Sequence, residues 1–199
     1  MLQRLERAGF GAAPRWLGID EHGRDVLSWI DGETFTDRGR MHPYVGDPPE
    51  RATFSDEQLA AAFRLLRRYH DATGDVCHGD FGPWNLVWRD GLPVGLIDFD
   101  DVHPGEPAED VAYALRTLVS YGLGETDPDE AARRTRLALE AYGHGFDVVA
   151  LLEAEYDRVE ERCRRNGWQR ALAKLPAERA WLETNRVTLA AAVPYTDPT

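Results

Sequence analysis

Residues 76–98 read VCHGDFGPWNLVWRDGLPVGLID, and this stretch carries the most specific pattern in the chain. The triplet His78-Gly79-Asp80 is followed, five residues after the aspartate, by Asn85. Two apolar segments then flank Asp90-Gly91, a dipeptide typical of tight hairpin turns, and the second segment leads into Asp98. A polar turn between two strands is the alternative interpretation, because a His-Gly-Asp triplet by itself is common.

Protein kinases place a His-x-Asp, an Asn and a later Asp at the same kind of interval. In that arrangement the Asn and the later Asp bind Mg²⁺, while the first Asp faces the hydroxyl group that receives a phosphoryl group. An amide oxygen and a carboxylate also suit Mg²⁺, a hard cation that takes few protein oxygens and keeps several waters. The spacing therefore predicts Asn85 and Asp98 as metal ligands and Asp80 as the catalytic base.

Other residues near the motif are predicted to support the loop rather than to react. We expect His78 to hydrogen-bond backbone carbonyl groups behind Asp80. We expect Asp110 to cap N–H groups at the start of its helix and so to brace the loop. Gly79 and Gly82 are expected to let the loop turn tightly.

The remaining histidines and tryptophans show no spacing typical of metal ligands. His70 lies on the apolar face of a predicted helix and is expected to be a hydrogen-bonded core residue. Trp16 and Trp29 lie within predicted strands and are expected in the core. Asp101 and His103, in the loop after the motif, are candidates for contacts with a substrate.

Apolar periodicity and turn residues predict the secondary structure. Helices are predicted at residues 2–8, 108–120, 128–142, 147–165 and 177–192, and at 56–73 behind a capping box of Ser55 and Gln58. Strands are predicted at residues 15–19, 25–30, 76–78, 86–88 and 93–97, and residues 39–53 and 104–107 read as loops.

Composition and charge narrow the class of protein. With 199 residues and 43% hydrophobic side chains, the chain suits one domain, or a large one and a very small one. The apolar runs are too short for a membrane span, and Cys77 and Cys163 lack metal-binding spacing, so we expect a cytoplasmic protein with reduced thiols. A net charge of −12 argues against a nucleic-acid partner. An acidic cleft would attract a cationic small-molecule substrate; the alternative is that the charge serves solubility alone.

The chain resembles the aminoglycoside phosphotransferase and choline kinase-like family, which has a protein-kinase-like fold. The resemblance rests on the loop at residues 78–85, on Ile97-Asp98-Phe99-Asp100, and on residues 103–113. It implies an α+β fold with a mainly helical C-lobe, a short β-hairpin at the active site, and an N-lobe remnant of two strands and part of a helix. It assigns residues 1–35 to that remnant and residues 36–199 to the C-lobe.

The resemblance also implies a function. It implies Mg²⁺ and ATP (or GTP) as cofactors, and phosphoryl transfer to a hydroxyl group of a small molecule such as an aminoglycoside or an amino alcohol. It further implies that the backbone of four residues forms the adenine-binding hinge: Ser28, Trp29, Ile30 and Asp31.

The chain departs from the family pattern at the phosphate-binding lysine. Lys174 is the only lysine, and 77 residues precede His78, so the family's first N-lobe strands have no counterpart in this sequence. A start upstream of Met1 would explain this, and Arg38 or Arg40 is a candidate replacement for the lysine. The alternative function is a catalytically inactive, kinase-like binding protein of the trifolitoxin-immunity type.

Two further expectations concern surfaces. A sheet of two strands exposes an edge and apolar side chains, so we expect either a second copy of the chain, in a homodimer, or the helical body to cover it. Specificity for the acceptor is expected to come from the loop at residues 39–53 and from the helices after Asp127.

Overall fold

The computed structural model describes residues 1–34, 54–119, 121 and 126–192. The predicted acceptor loop at residues 39–53, together with Arg38 and Arg40, lies outside the described residues. The elements follow the chain as α1 (Leu2–Arg7), β1 (Trp16–Ile19), β2 (Asp25–Leu27), α2 (Asp56–Thr73), β3 (Val76–Cys77), a 3₁₀ turn (Pro83–Asn85), β4 (Leu86–Arg89), β5 (Leu92–Leu96), β6 (His103–Pro104), α3 (Pro107–Leu118), α4 (Pro128–Tyr142), α5 (Val148–Asn166), α6 (Gln169–Leu172), α7 (Leu175–Thr184) and α8 (Arg186–Ala190).

The helix α2 lies at the centre of the core. The predicted capping box is present: the Ser55 hydroxyl accepts from the Gln58 N–H (3.2 Å), and the Gln58 side chain accepts from the Ser55 N–H (2.8 Å). Leu59, Phe63 and Leu66 are fully buried, and α2 packs against α4 and β5. Burial of each such side chain stabilises the fold by about 1.5–3 kcal/mol. The apolar face of α2 therefore holds the helix against β5 and α4.

The C-terminal helices differ from the single helix predicted at residues 177–192. The chain instead forms α6, α7 and α8 in succession. Helix α7 ends at Thr184, and the side-chain amide of the next residue, Asn185, donates to the Trp181 carbonyl at 2.8 Å. An asparagine side chain that bonds the backbone in this way competes with helical hydrogen bonds, which explains the break. Among the described residues, no helix has the length and apolarity needed to cross a membrane.

The strands form antiparallel pairs, and β3, β4 and β5 lie within the motif of residues 76–98. β4 and β5 pair across Asp90 and Gly91, which both have positive φ (53° and 81°), as the Asp-Gly dipeptide predicts. β3 pairs with β6, a strand of two residues in a segment predicted to be a loop from Pro104 onwards. A strand this short has no periodicity that a sequence pattern could show.

The N-terminal residues attach to the hairpin through backbone hydrogen bonds. Leu96 N–H donates to the Ala12 carbonyl (2.8 Å), and Glu33 and Trp88 exchange two bonds of 2.8 Å. The β1–β2 pair therefore lies next to the strands that lead into the predicted site.

The expectation that Trp16 and Trp29 lie in the core is wrong for Trp29 and only partly met by Trp16. The strand predicted at residues 25–30 ends at Leu27, so Trp29 follows β2 and is 84% exposed. Ile19 on β1 is 64% exposed. Apolar residues in a strand are buried only where a second layer covers their face, and in the described residues β1 and β2 form a sheet of two strands. Cover by a second copy of the chain stays a prediction.

Candidate functional site

The loop after β3 is shaped by two glycines that act in different ways. Gly79 has φ +81°, and a Cβ there would lie 2.4 Å from the Asp101 carbonyl oxygen, so the turn requires glycine. Gly82 has φ −107°, an ordinary value, which corrects the expectation that it permits a tight turn. A Cβ at Gly82 would instead lie 2.3 Å from the Trp84 ring. Gly82 therefore gives the Trp84 indole the space to lie against the loop.

The Asp80 carboxylate is held by side-chain donors on both oxygens. Oδ2 accepts from the Asn85 amide (2.8 Å) and from the Trp84 indole N–H (3.1 Å). Oδ1 accepts from the Tyr113 hydroxyl. Asp80 is half-buried, so these bonds fix its orientation while one side stays accessible. The Tyr113 contact shows that Oδ1 can receive an O–H donor from outside the loop.

Asn85 and Asp98 are brought together by the backbone. The Ile97 N–H donates to the Asn85 carbonyl at 3.0 Å, and Asp98 is the next residue along the chain. Because the Asn85 amide nitrogen is directed to Asp80, its oxygen, the atom that binds cations, takes no part in those bonds. Asp98 is exposed and has φ +63°, a conformation that Asp adopts more readily than most residues. This amide oxygen and carboxylate fit the donors that Mg²⁺ prefers.

His78 supports the loop, as the sequence predicts. Its Nε2–H donates to the Ile97 carbonyl (3.1 Å), and its Nδ1 accepts from the Asp80 N–H (3.4 Å). Burial lowers the pKa of His78 below its usual value, despite the nearby Asp110 and Asp80 carboxylates. The imidazole is therefore neutral with both nitrogens bonded within the protein, and its geometry suits positioning rather than proton transfer.

Asp110 braces the loop at residues 78–85, but not in the way the sequence suggests. Its carboxylate accepts from the backbone N–H groups of His78 (2.6 Å) and Gly79 (2.8 Å) and from the His70 imidazole (3.0 Å). The cap of α3 is made instead by Glu109, which accepts from the Glu106 N–H at 3.1 Å. Asp110 therefore caps the loop and not its own helix.

The ionisation of Asp110 depends on these donors. Burial opposes its charge, but hydrogen bonds from the His70 ring and from the two loop N–H groups outweigh burial and hold the pKa of Asp110 below its usual value. His70 is 5% exposed and also bonds the Tyr142 hydroxyl (2.9 Å), so it is a hydrogen-bonded core residue as predicted.

A cavity of about 670 Å³, which we call the hinge cavity, joins the predicted hinge to Asp98, one of the two predicted metal ligands. It is lined by Ser28, Trp29 and Ile30 on one part of the chain and by Asp98 on another. Asp31, the fourth predicted hinge residue, is exposed outside this lining and lies 3.9 Å from Arg89. None of the described residues that line the hinge cavity is a lysine or an arginine.

A second cavity, of about 590 Å³, lies between the loop at residues 78–85 and α5, and we call it the α5 cavity. Asp101 and His103 line it, as do Tyr113 and Arg162, two residues to which the sequence pattern assigns no role in the site. Arg162 donates to the Gly79 carbonyl (3.0 Å), and its guanidinium lies 5.8 Å from the centre of the Tyr113 ring. Tyr113 could have been found, because it follows Asp110 by about one helical turn. Arg162 is 83 residues from Gly79 and has no local signal.

Glu155, on α5, contributes an unusual carboxyl group to the α5 cavity. It is 2% exposed; one oxygen accepts from Arg158 (3.2 Å), and the other has no hydrogen-bond partner within the described part of the chain. Burial raises the pKa of Glu155 to about 7, against the opposing effects of Arg116 and Arg158. Glu155 therefore changes its charge near neutral pH.

Replacement of Glu155 by Gln tests this assignment. Between about pH 4.3, where an unfolded Glu ionises, and about 7 the folded state holds the extra proton, so the free energy of unfolding falls as the pH rises. Relative to that of Glu155→Gln, the free energy of unfolding of the wild type should fall by up to about 1.4 kcal/mol for each pH unit. Urea unfolding across this pH range measures it, with the exposed Glu161→Gln as control. Parallel curves for wild type and Glu155→Gln would contradict the assignment.

Comparison with known proteins identifies a matching family and related sequences. Residues 51–152 match the model of a family described as the phosphotransferase enzyme family. The chain is 32% identical over 201 residues to the trifolitoxin immunity protein of Rhizobium leguminosarum bv. trifolii, which covers 81% of this chain and 71% of that protein. It is 39% identical over 80 residues to the viomycin phosphotransferase of Streptomyces vinaceus, but this match covers 38% of this chain and only 25% of that protein.

A solved structure shares the fold. The ternary complex of streptomycin, ATP and APH(2″)-IIa superposes with a TM-score of 0.50 and 14% identity, over 94% of this chain and 81% of that one. This likeness confirms the predicted protein-kinase-like fold. The matched family model and the immunity-protein relative show that the chain belongs to the phosphotransferase enzyme family.

Proposed function

We propose that this protein transfers a phosphoryl group from ATP (or GTP) to a hydroxyl group of a small molecule, assisted by Mg²⁺. The observation that carries the proposal is the single loop that holds the Asp80 carboxylate against the Asn85 amide, with Asp98 joined to it through the Ile97 backbone bond. Membership in the phosphotransferase enzyme family supports the same class of reaction.

Each of these residues has a role that its contacts support. Asp80 accepts the hydrogen bond of the acceptor hydroxyl at Oδ1, where the Tyr113 hydroxyl now lies, and takes the proton as the oxygen attacks phosphorus. Asn85 and Asp98 would hold Mg²⁺ through an amide oxygen and a carboxylate. That ion, when bound, neutralises the charge on the phosphate oxygens. His78 and Asp110 keep the loop in place.

The hinge cavity is the proposed nucleotide site. Its volume of about 670 Å³ lies in the usual range of small-molecule sites, and it links Ser28, Trp29 and Ile30 to Asp98. The adenine ring would lie at the hinge and the phosphates near Asp98. A structural neighbour was solved with ATP, which supports the choice of nucleotide.

The α5 cavity is the proposed acceptor site. It reaches Gly79, which lies in the Asp80 loop, and Tyr113, which bonds the Asp80 carboxylate. It is lined by five carboxylates and three arginines: Asp101, Glu109, Asp110, Glu155, Glu161, Arg158, Arg162 and Arg165. The excess of acidic groups favours a cationic acceptor. The relative named for viomycin and the neighbour solved with streptomycin support a small-molecule acceptor.

A second candidate function is ligand binding without catalysis. The absence of lysine and arginine from the described lining of the hinge cavity favours it, since phosphoryl transfer depends on positive charge near the phosphates. The similarity to the trifolitoxin immunity protein over 71% of that protein's length also favours it. Such a protein would act by holding its ligand.

Thermal unfolding with nucleotide distinguishes these functions. At an Mg²⁺–ATP concentration of about 100 times the Kd, binding stabilises the folded state by about 2.7 kcal/mol and raises the Tm by roughly 5–10 °C. Asp98→Asn, which keeps the side-chain shape, should lose the Mg²⁺-dependent part of this rise. The matched control is Asp90→Asn, also an exposed aspartate with positive φ.

The outcomes separate the two functions clearly. A rise in Tm together with phosphate transfer supports the enzyme, whereas a rise without turnover on any acceptor supports the binding protein. An unchanged Tm at millimolar ATP would rule out the proposed reaction for this chain.

A further inference from the structure

Three side chains of the kinds that bind transition metals meet beside the catalytic loop. Cys77 on β3 pairs with His103 on β6, and Glu109 lies in the first turn of α3. One ligand atom of each lies within 4.8 Å of the others. The sequence gives no metal-binding spacing for these residues, because the pairing of β3 with β6 is what brings them together.

The hydrogen bonds of His103 direct an unprotonated nitrogen into the cluster. Its Nδ1 lies 2.8 Å from the Asp101 carbonyl oxygen, which can only accept, so Nδ1 carries the hydrogen. In the neutral ring Nε2 then presents a lone pair, and it lies 3.6 Å from a Glu109 carboxylate oxygen, beyond hydrogen-bond distance. Two electron-rich atoms in this position repel each other unless a cation lies between them.

This arrangement matches the way proteins prepare histidine for a metal. A metal-bound imidazole commonly donates its other N–H to a backbone carbonyl, which sets the tautomer and the orientation of the ring. The competing occupant of the space is a proton on Nε2, which would make an ion pair with Glu109. The two occupants can therefore be told apart by the absorption spectrum with Co²⁺ and by the change in Tm on addition of Zn²⁺.

The other two ligands are held in place by their surroundings. One oxygen of Glu109 accepts from the Glu106 N–H, which leaves the second oxygen toward His103. A Cβ on Gly105 would lie 2.7 Å from the bonded Glu109 oxygen and 2.9 Å from the Cys77 sulfur, so the cluster packs against a residue that must be small. Side-chain positions that are fixed in this way lower the entropy lost on binding an ion.

Cys77 supplies the ligand that decides which metal fits. The thiol is buried and donates to the Glu106 carbonyl at 3.2 Å. Binding of a divalent ion would release the thiol proton to solvent and form a metal–thiolate bond. A set of sulfur, imidazole nitrogen and carboxylate oxygen suits Zn²⁺, whereas Mg²⁺ takes oxygen ligands only.

We propose that Cys77, His103 and Glu109 bind a zinc-class divalent cation, with its fourth position open toward the α5 cavity, which His103 and Glu109 line. The ion would tie β3, β6 and α3 together and so fix both ends of the segment from His78 to Asp101. The proposal concerns ligands other than Asn85 and Asp98 and does not depend on the proposed reaction.

Titration with Co²⁺ after chelator treatment tests the site directly. Wild type should develop the near-ultraviolet band of a thiolate–cobalt bond together with the visible bands of a four-coordinate ion. Cys77→Ser should lose the near-ultraviolet band, while Cys163→Ser, which removes the other buried thiol, and Asp98→Asn should keep it. Absence of the band in wild type, or its persistence in Cys77→Ser, would overturn the proposal.

A second measurement avoids the buried cysteine, whose replacement could destabilise the fold. The His103 side chain is 43% exposed, so His103→Ala should fold with an unchanged Tm in the absence of metal. Its Kd for Zn²⁺ should increase about 100-fold, and the Zn²⁺-induced rise in Tm should disappear. His22→Ala, at a more exposed imidazole next to a glutamate, is the matched control and should retain the rise. An equal rise in His103→Ala and wild type would overturn the assignment.

Discussion

Asp80→Asn is expected to lower kcat for phosphoryl transfer by about 10³-fold, within the range of about 10²–10⁴ that a general base contributes. The amide cannot take the proton of the acceptor hydroxyl. The Asp80 carboxylate now accepts hydrogen bonds from Asn85, Trp84 and Tyr113. In Asp80→Asn an NH₂ group replaces one of the accepting oxygens and faces donors. Orientation of the loop is therefore weakened as well as its basicity.

The measurement is single-turnover transfer from radiolabelled ATP, with the Kd for nucleotide determined separately. We expect the Kd of Asp80→Asn to stay within a few-fold of wild type, because Asp80 is not among the residues that line the hinge cavity. Asp90→Asn, in the exposed hairpin turn, is the control and should retain full activity. A turnover in Asp80→Asn equal to that of the control would show that Asp80 is not the base.

The parts of the site that the sequence predicts are those within one continuous segment. His78, Asp80, Asn85 and Asp98 fall within residues 76–98, and the loop and hairpin that position them are formed by local hydrogen bonds. The capping box of α2 is likewise a local signal. Local spacing therefore suffices to place these residues close together, whereas their roles stay predictions.

The parts that the sequence does not predict depend on contacts between distant segments. Arg162 reaches Gly79 across 83 residues, and the cluster of Cys77, His103 and Glu109 exists only because β3 pairs with β6. The exposure of Trp29 has a similar origin, since the sequence pattern reveals neither that β2 ends at Leu27 nor what covers the residues that follow it. Tertiary packing decides each of these outcomes.

Asp110→Ala is expected to reduce the free energy of unfolding by about 3–5 kcal/mol, the usual cost of removing one partner from a buried charged network. Asp110 is 1% exposed, and its carboxylate accepts hydrogen bonds from the backbone N–H groups of His78 and Gly79 and from the His70 ring. Its removal leaves these three buried donors without an acceptor, so the loop at residues 78–85 loses its attachment to α3. This loss is a large fraction of the roughly 5–15 kcal/mol that stabilises a typical domain.

Urea unfolding of Asp110→Ala and wild type between about pH 2 and 8 measures both the size and the sign of this effect. Because the folded-state pKa of Asp110 is lowered, its ionic contribution is present above the unfolded pKa of about 3.9 and is lost as the pH falls through the folded-state value. The difference between the two proteins should therefore shrink in acid. Asp71→Ala, which removes an exposed partner of Arg67, is the control and should cost less than about 1 kcal/mol. A similar small loss in Asp110→Ala, or a difference that does not change with pH, would mean that the loop does not depend on the Asp110 charge.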